Sequence, residues 1–340
     1  MSSTLNLTAS KHAAQHGKVD LSKMPKMMEM SATSITEQVL AINNANCSDE
    51  RMKFVFERLV QHLHDFVRET FITTEEWVTA IKFLTEAGQT STDHGQESVM
   101  LLGILGVPAL IDTMNNAKPP KATEAAVLGP FFIDDAHDLA HGDSIASEGK
   151  GEYMYVHGKV ADTKGNPVAN ALINAWEADE TGSYDAQYEV RDGPECRGRL
   201  RTNKDGKYAF RAVVPVSYPV PAEGTVGKLL DTLGRHPFRP AHLHLRVEAP
   251  GYEKLITQLY INGDPYLTSD TAFGVKSSLI VDLKPVNDPK LSAKRGFGNP
   301  DKVHMELERD IILATPEEGA AARKKLHEDM LKSMKTGLKR

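Results

Sequence analysis

Apolar residues in the first third of the chain recur at helical spacing. Phe56, Leu59, Val60, Leu63, Phe66 and Val67 stand three and four apart, which predicts one face of an amphipathic helix. Thr73 followed by Glu76 has the form of a capping box and predicts the start of a helix carrying Trp77, Ile81 and Leu84. A third apolar segment, 99–114, reads as a helix apolar all round, with Leu101, Leu102, Leu105 and Leu110 on its inner part. Pro119 and Pro120 close this helical region, because proline removes a backbone donor and restricts the residue before it.

From about Thr123 the period shortens. The runs 153–160, 171–176, 207–212, 243–247 and 255–261 alternate or carry β-branched residues, and Gly, Pro, Asn or Asp bounds them. Lys164-Gly165-Asn166-Pro167 and Asn203-Lys204-Asp205-Gly206 are turn sequences. The gaps between runs are too short and too rich in turn residues for crossover helices, so a sandwich or barrel is predicted rather than a parallel α/β sheet. Near the end, Thr315, Pro316 and Glu318 fit an N-cap, N1 and N3 pattern, and a helix carrying Leu326, Met330, Leu331 and Met334 should follow. The predicted class is α+β: an N-terminal helical, dimerising domain followed by an all-β sandwich catalytic domain. The predicted organisation is a flexible arm (1–35), the helical domain (36–122), the sandwich (123–285) and a C-terminal extension with a terminal helix (286–340).

Composition narrows the function. The chain has 340 residues, 40% hydrophobic and 25% charged, with a formal net charge of -6. Basic and acidic residues are interspersed, which predicts neither a nucleic-acid partner nor a membrane surface. The basic end, Lys332, Lys335, Lys339 and Arg340, reads as a solvated tail. The opening MSSTLNLTAS has no basic-then-apolar leader, and no run approaches the roughly 18 apolar residues of a membrane span. Cys47 and Cys196 do not make a disulfide framework, so a cytoplasmic enzyme with reduced thiols is expected. No GxGxxG or GxxxxGK[ST] sequence occurs, which disfavours a nucleotide enzyme.

The candidate chemistry centres on Arg239-Pro240-Ala241-His242-Leu243-His244. On a strand, side chains two apart point the same way, so His242 and His244 can approach one metal ion without distorting the chain; two hydrogen-bonded sheet histidines would fit the same spacing. Tyr184 and Tyr218 lie in turn-rich segments upstream. Taken alone, each reads as a packed aromatic with a hydrogen-bonded hydroxyl.

The stretches VLGPFF (127–132), NAWEADETGSYDAQY (174–188), RGRLRTNKDGKYAFR (197–211), YPVPAEGTVGKLLDTLGRHPFRPAHLHLRVEAPGY (218–252) and LITQLYINGDPYLTSDTAFGVKSSL (255–279) resemble the intradiol ring-cleaving dioxygenases. With the helical N-terminal region, the resemblance covers about 35–285. It implies one iron(III) per subunit, held by two tyrosinates, two histidines and a solvent hydroxide. Tyr184 then matches the tyrosine that stays bound, Tyr218 the one displaced when substrate arrives, and His242 and His244 the histidines. The implied reaction opens the ring of an aromatic diol between its hydroxylated carbons, places both atoms of O2 in the product, and needs no NADH or flavin. Arg239 matches an arginine that stabilises charge on the substrate ring, and Gln258 a polar residue beside the carbon that meets oxygen. Asp185, Arg199 and His236 read as structural.

The resemblance also sets expectations for substrate and assembly. The segments 218–242, GDPYLTSD and FGVK look more like hydroxyquinol or chlorocatechol enzymes, so hydroxyquinol 1,2-dioxygenase activity is slightly favoured over catechol 1,2-dioxygenase activity, which yields cis,cis-muconate. One departure matters: many hydroxyquinol enzymes carry an aspartate where Gly103 falls, and Gly103 offers no acceptor. Leu102, Gly103, Gly106 and Val107 are predicted to form one pocket wall, with Gly129 and Phe131 opposite. The resemblance implies a homodimer joined through the N-terminal helices around a bound lipid. The competing readings are a zinc hydrolase using His242, His244 and a carboxylate, and a β-sandwich binding module.

Overall fold

The computed structural model describes residues 20–27, 29–91 and 96–337. Most of the predicted arm and the last residues of the basic tail, Lys339 and Arg340 among them, lie outside the described residues. The chain divides into two compact units, 1–85 and 86–340.

The first unit is helical. It contains α1 (Ile35–Ala45), α2 (Glu50–Thr70) and most of α3 (Thr74–Thr90). Asp49 caps α2 by accepting from the amides of Arg51 and Met52. The predicted capping box of α3 forms in both directions: Thr73 N–H donates to Glu76 Oε2 at 2.8 Å, and Glu76 N–H to Thr73 Oγ1 at 3.2 Å. The apolar stripe of α2 sits where the spacing put it, yet Phe56, Leu59, Leu63, Phe66 and Val67 are exposed.

The second unit opens with α4 (Glu97–Ile104) and α5 (Val107–Asn115). The predicted single helix over 99–114 is therefore corrected to two, bent by 74°. The break falls at Gly106, whose φ of 72° is left-handed, a conformation that glycine adopts without a Cβ penalty. Periodicity could not show this, because the apolar run continues across the break.

Two β-sheets follow. One is six-stranded, in the order β1 (His137–Asp138), β4 (Arg197–Arg201), β3 (Leu172–Glu177), β8 (His242–Glu248), β9 (Leu255–Ile261), β10 (Ile280–Val281). The other is five-stranded and centres on β2 (Tyr153–Asp162), flanked by β5 (Lys207–Val213), β12 (His304–Glu308) and β13 (Ile311–Leu313), with β11 (Lys284–Val286) outside β12. Strands β12 and β13 lie beyond residue 285, where the sandwich was expected to end, and both pair with β2. Val156, Val160 and Phe210 from one sheet and Ile173, Leu243, Leu245 and Val247 from the other make a common buried core. A separate two-stranded ladder joins β6 (Tyr218–Pro219) to β7 (Phe238–Arg239). Helix α6 (Thr225–Thr232) lies between those two short strands in the chain, and α7 (Pro289–Lys294) precedes β12. Helix α8 (Pro316–Gly337) starts at the predicted box, with Thr315 N–H donating to Glu318 Oε2 and Glu318 N–H to Thr315 Oγ1.

Candidate metal centre

Strand alternation decides where the histidines go. Leu243, Leu245 and Val247 of β8 face the core between the sheets, so His242 and His244 face the opposite side of the six-stranded sheet. Directly paired residues share a face, and the register sets His244 opposite Trp176 on β3 and Gln258 on β9, with His242 opposite Tyr260. The Trp176 indole lies nearly parallel to the His244 imidazole, centroids 4.7 Å apart. Gly129 closes in on the same ring: a Cβ there would stand 3.2 Å from His244 Cε1.

The two tyrosines arrive from outside the sheet. Tyr184 precedes a 3-10 turn, Asp185–Gln187, and its ring stacks on Phe131 at 4.7 Å. Asp185 turns the other way and takes the guanidinium of Arg197, a buried pair that fixes the turn. Tyr218 comes from the small ladder, in register with Arg239. The four polar tips converge. Tyr184 Oη is 3.4 Å from Tyr218 Oη and 3.4 Å from His242 Nε2, and the Nε2 atoms of His242 and His244 are 3.1 Å apart. All four residues are buried.

Protonation follows from that burial. Burial, and then the Arg239 guanidinium, press His242 down to about 3. Burial, then His242 and Arg239, press His244 well below the usual imidazole range. Both rings are therefore neutral near pH 7. His242 Nδ1–H donates to the Pro240 carbonyl at 2.7 Å, which leaves the Nε2 lone pair aimed at the cluster. His244 Nδ1 is buried without a hydrogen-bond partner. Burial pushes the Tyr184 phenol well above its ordinary range, and Tyr218 beside it adds to the effect. Such a phenol ionises only if a strong positive charge sits against it. Two neutral imidazole nitrogens and two phenol oxygens around one point suit a hard, highly charged cation. Among the described residues there is no group of three or more His, Cys, Asp or Glu side chains arranged to hold a metal.

Arg239 lies beside this cluster, with Nη1 3.3 Å from His242 Nε2. It is buried and held by the Asp270 carboxylate, Gln258 Oε1 and Tyr260 Oη. Burial alone would favour its neutral form, but the neighbouring Tyr260 and Asp270 hold its pKa well above the ordinary value. Both ends of the Gln258 amide are used, since Nε2 donates to the Val127 carbonyl at 2.6 Å and Oε1 accepts from Arg239 and Tyr260.

A family model for the "Dioxygenase" domain matches residues 127–314, and one for the "Catechol dioxygenase N terminus" matches residues 49–123. The chain belongs to the intradiol ring-cleavage dioxygenases. It is 47% identical over 301 residues to the intradiol ring-cleavage dioxygenase hqdA of Aspergillus niger, an alignment covering 88% of this chain and 90% of the relative. It is 44% identical over 256 residues to a 6-chlorohydroxyquinol 1,2-dioxygenase of Cupriavidus pinatubonensis, covering 75% of this chain and 92% of that one. Among solved structures, the hydroxyquinol 1,2-dioxygenase of Pseudomonas putida DLL-E4 superposes with a TM-score of 0.78 at 36% identity, over 84% of this chain and 98% of that one.

The other predicted site residues of this dioxygenase fall in two places. Gly129 and Phe131 pack on His244 and Tyr184. Leu102 and Gly103 lie on α4, and Gly106 and Val107 at the α4–α5 bend, where Gly106 meets the Phe273 ring. A Cβ at Gly103 would meet nothing within 4 Å. Helix α4 is docked by Glu97, which accepts from Val226 N–H and so caps α6, and by Arg235, which donates to the Ile104 carbonyl. His236 bonds Ser269 and the Phe238 amide, as a structural residue does. Arg199 forms an exposed ion pair with Asp138. Sequence reading missed Trp176, Tyr260 and Asp270; the alternation of β3 and β9 against β8 is the signal for the first two, and Asp270 sits in a loop with no periodic signal.

Proposed function

We propose that this dioxygenase cleaves hydroxyquinol between adjacent hydroxylated carbons, at one iron(III) per subunit held by Tyr184, Tyr218, His242 and His244. The observation that carries the reading is the convergence of two phenol oxygens and two imidazole nitrogens in one buried cluster, successive atoms 3.1–3.4 Å apart. Ferric iron, when bound, supplies the Lewis acid that draws charge from the diol. The chain supplies the rest. Tyr218, which the metal would hold as a phenolate, would be the base that takes a proton from the entering diol. The Arg239 guanidinium, permanently charged and fixed by Asp270, stabilises negative charge building on the ring. Gln258 holds Arg239 in place through Oε1. Phe131 and Trp176 pack against Tyr184 and His244 and keep bulk water from the cluster.

Relatives named for hydroxyquinol and 6-chlorohydroxyquinol support that substrate. Catechol is the second reading. It is favoured by Gly103, which offers no acceptor for a third ring hydroxyl and has open space around it. The enzyme is further proposed to be cytoplasmic, with Cys47 and Cys196 as free thiols, and to form a homodimer through its N-terminal helices around a bound lipid.

The test is metal analysis joined to a substrate panel. Wild type should hold one iron per chain, and Tyr184→Phe and His242→Ala should lose it. Arg239→Ala should keep the iron and lose turnover by roughly a hundredfold or more, the scale of one transition-state charge contact. Hydroxyquinol should be opened faster than catechol, and protocatechuate slowest. Undiminished iron in the ligand variants overturns the site, and a higher rate on catechol overturns the substrate.

A further inference from the structure

Tyr218 is the least anchored of the four donors. His242 and His244 belong to a strand paired on both sides within the six-stranded sheet. Tyr184 is fixed by its 3-10 turn, by Gln187 Oε1 accepting from the Tyr184 amide, and by the Phe131 stack. Tyr218 has only a two-residue ladder, in which Tyr218 faces Arg239. Such a ladder closes few hydrogen bonds and holds its register weakly without outside support.

That support comes from one carboxylate. Asp264 lies in the turn after β9, and its Oδ2 accepts from two donors: the Ser217 hydroxyl at 2.6 Å and the Ala241 amide at 2.9 Å. Ser217 immediately precedes Tyr218, and Ala241 immediately precedes His242. The other oxygen, Oδ1, accepts from the Tyr266 amide at 2.8 Å and fixes the carboxylate itself. The turn is moored to the sheet where Ile261 N–H donates to the Ala241 carbonyl at 3.0 Å. One oxygen atom thus joins the segment carrying a phenol to the segment carrying an imidazole. On the far side the contact is steric: a Cβ at Gly182 would stand 2.8 Å from Tyr218 Cβ.

We propose that Asp264, through Ser217, is a positioning residue that sets Tyr218 at the metal centre. The inference rests on the iron site proposed above. The strap is selective among its two partners. Removing the Ser217 hydroxyl frees the Tyr218 segment but leaves the bonds of Asp264 to Ala241 and Tyr266 intact, so His242 stays in place. Ser217→Ala is therefore the informative variant. Asp264→Asn is a second one, because an amide presents one acceptor oxygen where the carboxylate has two, and cannot satisfy Ser217, Ala241 and Tyr266 together.

The experiment uses iron-loaded full-length protein without substrate and reads two quantities: the visible tyrosinate-to-iron absorption, and the rate at which a chelator removes the iron. Ser217→Ala should weaken or shift the absorption and speed iron release by about fivefold, the worth of one hydrogen bond. Ser217→Thr, which keeps the hydroxyl, should restore both. Asp264→Asn should change both in the direction of Ser217→Ala. A strap that only stabilised the fold would lower the melting temperature and leave the absorption as in wild type. An unchanged absorption and release rate in Ser217→Ala therefore overturns the assignment of Asp264. A wild type that binds iron with no tyrosinate absorption overturns the iron site, and the strap with it.

Discussion

At the scale of single residues, Arg239 and Asp270 define the electrostatic character of the centre. Each is buried, and each would be unfavourable alone, because taking a charge out of water costs several kcal/mol. Burial by itself would raise the Asp270 carboxyl; Arg239 and the amides of Ala272 and Gly274 overcome it and hold its pKa below the ordinary value. A carboxylate held low contributes stability above the unfolded-state pKa of about 4, and loses it as the pH falls through the folded-state value. Wild type should accordingly lose stability in acid from about pH 4 downward, and Asp270→Asn should flatten that part of the curve. The same variant leaves Arg239 without its counter-charge and should cost about 3–5 kcal/mol near pH 7, read by denaturant unfolding. An acid limb identical in wild type and variant would refute this assignment. Spacing alone put His242 and His244 on one face. It could not show that Tyr184 and Tyr218 meet them, because one precedes a 3-10 turn and the other sits on a two-residue strand, both placed by distant contacts.

At the scale of elements, local signals were legible wherever the physics is local. The boxes at Thr73–Glu76 and Thr315–Glu318 form as their sequence spacing predicts, since each involves groups three residues apart. Strands β2, β3, β5, β8 and β9 appear within two residues of the predicted runs. Strand β4 went unpredicted because Arg197-Gly198-Arg199-Leu200-Arg201 has little apolar content; its pairing with β3 makes it a strand. The α4–α5 break went unpredicted because hydropathy registers apolar side chains and not backbone dihedrals. Gly106 carries that break, so Gly106→Ala should destabilise the protein by about 1–2 kcal/mol, the cost of a left-handed conformation with a Cβ. In thermal unfolding this is a fall of roughly 2–8 °C, whereas Gly103→Ala, in a regular helical turn with open space, should lower the melting temperature little or not at all. Equal effects of the two substitutions would show that the bend does not depend on its glycine.

At the scale of the whole molecule, α2 and α3 leave an apolar surface that the first unit does not bury. Phe56, Leu63, Phe66 and Trp77 are each about half exposed. The proposed homodimer would cover such side chains, since a large exposed apolar patch is what an interaction site presents. Light scattering should return twice the chain mass, and the pair Leu63→Asp and Phe66→Asp should reduce it to one chain mass while the iron content proposed above stays as in wild type. A wild type that scatters as a single chain would exclude the dimer. The sequence by itself determined the class of the protein: helical periodicity before about residue 115, strand periodicity after it, capped helix starts, and two imidazoles on one face of a strand. These are consequences of backbone geometry over a few residues, so they are written where they act. Only the tertiary structure decided that β12 and β13, past the expected end of the sandwich, pair with its central strand, and that two tyrosines from separate segments, a buried Arg–Asp pair and the Asp264 carboxylate close on the two histidines. Each of those joins segments tens of residues apart, through sheet register and burial that no local pattern encodes.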